Sequence, residues 1–397
     1  MNLLFLTPQL PHPPRQGTAI RNWGLIKSLS AKHAITLLTF ADINEAMTTE
    51  LIKTCQRIET VLPPARTPLG RLQTLFTSSL PDLAQRLESS EFSRRLSQLL
   101  QQVSFGAVFI EGLELARYGD TIKVRKIYDA HNCETVLQRR AFETDLRNPG
   151  RWPMALYSFI QSRRLAHFEA RTLNQVTHVT CVSAEDSTAL RHLAATVNPI
   201  IVANGIFLED YDQSTRSVQS PKPKTPQLVF TGKMDYRPNV DAVTWFANDI
   251  LPLVQSEKPD VQFLIVGQKP TEAVQRLARR PGVTVTGAVD DTRGYIANAA
   301  AYVAPLRMGG GTRFKLLEAM ALRSPIVSTT VGAEGFPVTN GKEILLADSP
   351  VDFAQAVLKI LNDEQQRQSL TDASYEFVKG YDWGQIVPKI EALLDVA

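Results

Sequence analysis

Short apolar runs alternate with longer stretches of helical periodicity along the whole chain. In the first half the runs are LLFLT, AITLLTF, IETVL, AVFIEG, KIYDAH, HVTCVS and PIIVAN. Continuous apolar runs of this length, spaced by amphipathic segments, predict parallel strands buried on both faces. Helices are predicted between them, among them Gly17 to Leu29 and Leu83 to Leu100. The alternation pauses after Gly205 at DQSTRSVQSPKPKTPQ, which is polar, proline-bearing and aperiodic, the composition of a linker. It restarts at LVFTG, runs through VQFLIVG, VTVTG, AYVAPL, PIVSTT and EILLAD, and closes with helices over about 350–362 and 364–380. The pattern predicts an α/β chain of two tandem Rossmann-like domains facing across a cleft, with the ligand at the carboxyl ends of the strands. The boundaries it suggests are a first domain over 1–206, a linker over 207–226, a second domain over 227–380, and a C-terminal helix over 381–397 that crosses back to the first.

Composition narrows this picture without redirecting it. A chain of 397 residues exceeds one hydrophobic core, and 44% hydrophobic with 21% charged residues is ordinary for a soluble globular protein. The net charge of +3 is too small to imply nucleic acid as a partner. Cys55, Cys133 and Cys181 are far apart and match no metal-ligand spacing, which suggests a reducing compartment and no zinc site. The opening MNLLFLTPQLP has no basic leader and suits a buried strand better than a signal peptide. No apolar stretch approaches a membrane span. A cytoplasmic location, or one peripheral on the inner face of the cytoplasmic membrane, is expected.

One segment carries chemistry. MGGGTRFKLLEAM, residues 308–320, places three glycines before a short amphipathic helix with Thr312 as its predicted N-cap. Arg313 and Lys315 stand in the first turn, where the helix dipole is positive and an exposed cation costs about 0.3–1 kcal/mol. A bound diphosphate would turn both into favourable partners, with glycine N–H groups approaching the anion. Glu318, three residues beyond Lys315, is placed to accept hydrogen bonds from ribose hydroxyls. The competing interpretation is a tight turn between strand and helix with a solvated Lys–Glu pair.

GGGTRFKLLEAMALRSPIVSTTVGAEG resembles the donor-nucleotide motif of the retaining family 4 glycosyltransferases, which have the GT-B fold. FTGKMDYRPNVDAVTWF is similar to a subgroup associated with bacterial exopolysaccharide and cell-surface sugar assembly. TPQLPHPPRQGTAIRNWGLIKSL, YDAHN, CVSAEDS and ANGIFLEDY match N-terminal landmarks of that family in order, so the resemblance covers nearly the whole chain. It implies that Glu318 holds the donor ribose. The first glutamate of the family's motif is replaced by Gly310, so donor-sugar contacts pass to main-chain N–H groups of Gly310, Gly311 and Thr312. Lys233, after Gly232, fits the family's first phosphate-side cation; the second is displaced, since position 238 is proline, with Arg237 beside it and Arg313 or Lys315 as replacements. His131 in YDAHN stands where relatives keep a histidine facing the reacting sugar, and Asp129 either fixes its tautomer or caps the next segment. Gly17 and Thr18 correspond to the acceptor and phosphate loop. Gly287 and Ala288 in TGAVDD form the base-side wall, and Gly332, Ala333 and Glu334 a second turn facing the cleft.

The implied activity is transfer of a sugar from a UDP- or GDP-type donor to a glycan or lipid-linked acceptor, with retention of anomeric configuration. No metal and no cofactor beyond the donor are expected, because preorganised cations and helix N–H groups can stabilise the departing diphosphate. The stretch 139–171 interleaves seven arginines, including Arg139, Arg147 and Arg163, with aromatics including Trp152, Phe159 and Phe168. It suits either an anionic membrane surface or a long helix with a buried aromatic stripe. Two other functions share the scaffold, a nucleotide-sugar epimerase and a non-catalytic partner subunit. A nicotinamide-dependent dehydrogenase is disfavoured, since no G-x-G-x-x-G occurs.

Overall fold

Each predicted apolar run forms a strand. The computed structural model describes residues 1–14, 17–42, 45, 47–211, 223–309 and 314–395, excepting the side chains of 68–72. These divide into two compact units, Met1–Asn204 with Ile386–Ala397, and Gly205–Gln385. In the first unit the strands are β1 (Asn2–Thr7), β2 (Ala34–Phe40), β3 (Arg57–Val61), β4 (Ala107–Glu111), β5 (Lys126–Ala130), β6 (His178–Cys181) and β7 (Ile200–Ile201). They form one parallel sheet in the order β3-β2-β1-β4-β5-β6-β7. In the second they are β8 (Gln227–Thr231), β9 (Gln262–Val266), β10 (Val283–Gly287), β11 (Ala301–Ala304), β12 (Ile326–Ser328) and β13 (Leu345–Leu346). Their order is β10-β9-β8-β11-β12-β13, again parallel.

Both orders reverse direction beside the unit's first strand, between β1 and β4 and between β8 and β11. In open parallel sheets this reversal leaves a crevice beyond the carboxyl ends of the strands, where ligands bind. Each unit carries such a crevice by its own topology. The central strands, such as β1, β4, β8 and β11, are buried on both faces, as continuous apolar runs require, whereas the edge strands β3, β7 and β10 are partly exposed. Along β8, Leu228 and Phe230 join one apolar cluster and Val229 joins the other. In the first unit Phe5 of β1 stacks on Phe109 of β4 at 4.4 Å.

Three expectations need adjustment. The helix predicted from Leu83 to Leu100 is two, Asp82–Gln85 and Ser90–Gln102. Ser89 accepts the Phe92 N–H at 3.2 Å and caps the second helix, a local hydrogen bond that overrides continuous apolar periodicity. The unit boundaries fall at 204/205 and 385/386, not at 206 and 380. Ile206 N donates to Tyr381 O at 2.9 Å and Trp383 N to Ile206 O at 3.0 Å, which ties both segments into the second unit. Leu208–Tyr211, expected as linker, is a short 3-10 helix whose Leu208 and Tyr211 pack on that unit's apolar cluster. The helices Pro350–Asn362 and Glu364–Lys379 lie where expected.

Candidate functional site

In the first unit the reversal point gathers a buried ionic cluster. The helix Gly17–Leu29, which follows β1, contributes Arg21 and Asn22; β4 ends on Glu111, β5 supplies Asp129, and His131 lies just beyond it. Arg21 grips Asp129 bidentately, Nε to Oδ2 at 2.6 Å and Nη2 to Oδ1 at 2.7 Å, and Nη1 donates to Asn204 Oδ1 at 3.0 Å. Thr180 Oγ1 donates to Asp129 Oδ1 at 2.5 Å. The His131 Nε2 lies 3.2 Å from Glu111 Oε2 and 3.4 Å from Asp129 Oδ2. Both neighbours are acceptors, so Nε2 carries hydrogen. Asn22, with its amide oriented to satisfy its surroundings, donates to Thr18 O at 3.1 Å and to Glu111 Oε2 at 2.9 Å. A continuous hydrogen-bonded path therefore joins Thr18, in the first helical turn, to His131.

The charges set one another. Burial alone would raise Asp129, but the Arg21 guanidinium and the His131 contact hold it well below the usual carboxylate range. Burial, with the Asp129 charge beside it, pushes Glu111 up to about 7. Burial would lower His131, but hydrogen bonds to Asp129 and Glu111 outweigh it and push the imidazole up to about 10. Glu111, Asp129 and His131 bring ligand atoms within 4.8 Å of one another, a spacing that a metal ion can use. Asp129, however, has both oxygens committed to Arg21 and Thr180, and the guanidinium already supplies the positive charge. The donor set fits an ionic network better than a metal centre.

In the second unit the reversal point lies between β8 and β11. Lys315, in the first turn of the helix Phe314–Ala321, reaches back to the end of β8. Its Nζ donates to Thr231 O at 2.8 Å and to Asn239 Oδ1 at 3.0 Å, and sits 4.0 Å from the centroid of the Phe230 ring. Gly232 makes room for this: a Cβ there would lie 2.7 Å from Asn239 Nδ2 and 3.2 Å from Lys315 Nζ. Asn239 Nδ2 donates to Lys233 O at 2.9 Å, while Lys233 Nζ lies 3.5 Å from Asp235. Glu318, one turn below Lys315, accepts from the Tyr211 hydroxyl at 3.2 Å. Burial raises the Glu318 carboxyl, offset in part by Tyr211 and Lys315. Gly287 closes β10 with Ala288 exposed beyond it, and Gly332, Ala333 and Glu334 form a turn after β12.

Gly232, Lys233 and Lys315 thus come together, with Glu318 on the same helix as Lys315. Gly310, Gly311, Thr312 and Arg313 lie outside the described residues. Lys315 departs from the expected misfit cation, since protein acceptors already partner its ammonium. A cavity of about 540 Å³ lined by Arg237, Asp241, Trp245, Arg307 and Met308 includes none of Gly232, Lys233, Lys315 and Glu318. Sequence reasoning missed Arg21, Asn22, Glu111, Asn239 and Tyr211. A charge ending the apolar run AVFIEG was the signal for Glu111.

Residues 225–363 match the family model described as glycosyl transferases group 1. A phosphatidyl-myo-inositol mannosyltransferase of Propionibacterium freudenreichii subsp. shermanii is 25% identical over 234 residues, 57% of this chain and 58% of that protein. The chain thus spans a little over half the length of that relative. Sucrose-phosphate synthase from Thermosynechococcus elongatus superposes with a TM-score of 0.72 at 18% identity, over 99% of this chain and 98% of that one. Anabaena HepE in complex with UDP and glucose superposes with a TM-score of 0.69 at 14% identity, over the full length of both chains. The chain shares the GT-B fold with these structures, and its residues 225–363 are similar to the glycosyl transferases group 1 domain.

Proposed function

We propose that the protein transfers a sugar from a nucleoside-diphosphate donor to a glycan or lipid-linked acceptor, retaining anomeric configuration, in assembly of a cell-surface polysaccharide or glycolipid. The observation that carries this reading is Lys315, held by Thr231 O and Asn239 Oδ1 at the carboxyl ends of β8 and β11, with Glu318 one turn deeper. A fixed ammonium at the reversal point of a parallel sheet is preorganised for a diphosphate, and the carboxylate is spaced for its ribose. UDP in the HepE complex supports a donor of UDP type, with GDP the other candidate. The phosphatidyl-myo-inositol relative supports a lipid-linked acceptor. The match to a transferase model favours transfer over the epimerase and the partner subunit.

In this reading Lys233, Arg313 and Lys315, with the N–H groups of Gly310, Gly311 and Thr312, neutralise the departing diphosphate without a metal, and that phosphate takes the acceptor proton. Gly287 and Ala288 flank the base, His131 faces the reacting sugar, and Gly17 and Thr18 receive the acceptor. No described helix is long and apolar enough to cross a membrane. Peripheral contact with an anionic membrane is part of the proposal. It rests on the helix Trp152–Gln175, which exposes Trp152, Leu156 and Phe159 along one face, with Met154 exposed beside them near its start.

Calorimetric titration with UDP and GDP tests the donor site. One should bind, and Glu318→Ala should weaken it by about 1.5–3 kcal/mol, the value of a hydrogen bond to a charged group. A protein that binds neither nucleotide would overturn the reading. A donor screen with product detection then names the sugar.

A further inference from the structure

The cluster beneath His131 contains more than that histidine needs for solubility or packing. Arg21 and Asp129 neutralise each other through two short hydrogen bonds. Asp129 also touches the ring, at 3.4 Å, but Glu111 lies nearer, at 3.2 Å, and is the carboxylate with no guanidinium gripping it. Glu111 is fully buried at the reversal point of the sheet, its Oε2 shared between His131 Nε2 and Asn22, its Oε1 without a partner. An ionised carboxylate is costly to bury unless a charge faces it. Nothing in the first unit's fold requires an acid at the end of β4, where an apolar residue would continue the strand. The cost is offset when the ring beside it is an imidazolium.

We propose that Glu111 is a positioning residue for sugar transfer: it fixes the His131 ring and keeps both ring nitrogens as N–H, so that His131 meets its ligand as a hydrogen-bond donor. The proposal rests on the reading that His131 faces the reacting sugar. A ring held this way donates to a sugar oxygen and has no lone pair with which to abstract a proton. The groups that bias it are Asp129 from β5 and Glu111 from β4, in direct contact, with Glu134 from the helix after β5 in electrostatic reach; Arg21, from the helix after β1, is paired with Asp129. Arg21 opposes the imidazolium; the carboxylates outweigh it. Asn22 links this clamp to Thr18, so the turn proposed to receive the acceptor and the ring proposed to face the sugar share one hydrogen-bond chain.

Nitrogen-15 NMR of the full-length protein across pH, with His131→Gln identifying the signal, reads the ring directly. In the wild type both nitrogens should stay protonated well above pH 8. In Glu111→Gln the titration should move down from the wild-type position, with Asp129 alone left to hold the proton. The alkaline limit of kcat should move with it, while the nucleotide Kd stays constant. A wild-type ring that titrates near 6.5 overturns the proposal even if the variant does not fold. So does a folded Glu111→Gln whose ring titration or alkaline limit is unchanged. Absence of any sugar transfer defeats the proposed function instead, and is told apart because the ring is observed without substrate.

Discussion

Arg21 is a guanidinium with 1% of its side chain exposed, and its burial is tolerable only because Asp129 faces it with both oxygens. Removing one partner of such a pair leaves an uncompensated charge, so Arg21→Met should destabilise the protein by about 3–5 kcal/mol in urea unfolding. The pH dependence follows from the same cluster. His131 has a folded value raised to about 10 from an ordinary 6.5, so its contribution is complete below 6.5 and is lost as pH rises through 10. Asp129 is depressed, so its contribution is present above the ordinary carboxylate value and is lost as pH falls. The urea midpoint should therefore decline between about pH 6.5 and 10, and His131→Gln should flatten that decline. An equal slope in both proteins would remove the raised histidine. His131 and Lys315 were legible in the sequence because each follows a strand within a motif. The Arg21–Asp129 pair was not, because its members are 108 residues apart and only the order of strands in the sheet brings them together.

At the level of elements, periodicity located strands well because the central strands of both sheets are buried on both faces and each strand is one apolar run. It located helix ends less well. Leu83 to Leu100 is apolar at helical spacing, yet the first helix stops at Gln85 and Ser89 starts another through a side-chain cap that carries no periodicity. The basic and aromatic stretch divides in a way its composition did not reveal. It forms two helices, Glu134–Leu146 and Trp152–Gln175, joined by a short turn. Phe168 is buried, whereas Trp152 and Phe159 are exposed at 59% and 40%. Arg163 lies over Phe159 at 5.3 Å, and Arg139 and Arg147 are exposed on the preceding segment. Each arginine near an anionic surface contributes about 1 kcal/mol, and the apolar face adds insertion. The protein should sediment with anionic vesicles at low salt and not with neutral ones. Leu156→Ser with Phe159→Ser should abolish most of that binding. Equal affinity for both kinds of vesicle would count against the proposed membrane contact.

Across the whole molecule, the chain returns to the first unit for its last residues. Lys32 Nζ meets Glu391 at 2.7 Å, and Arg125 Nη1 donates to Leu393 O and Leu394 O at 3.0 and 2.6 Å. Ile386, Val387, Ile390, Leu393 and Leu394 are buried. Full burial of such side chains is worth about 1.5–3 kcal/mol each, against a typical net stability of about 5–15 kcal/mol. Deleting 386–397 should abolish cooperative unfolding of the first unit, read by thermal denaturation. A truncated protein that melts as the full chain does would show that this segment adds nothing to it.

The staple at Ile206, Tyr381 and Trp383 has a different consequence. It closes the second unit at its neck, so that the places where the polypeptide arrives and departs are held side by side by two main-chain hydrogen bonds. Gly205–Gln385 is therefore a cassette inserted into the sequence of another fold. Its two ends are anchored to each other before they meet that fold.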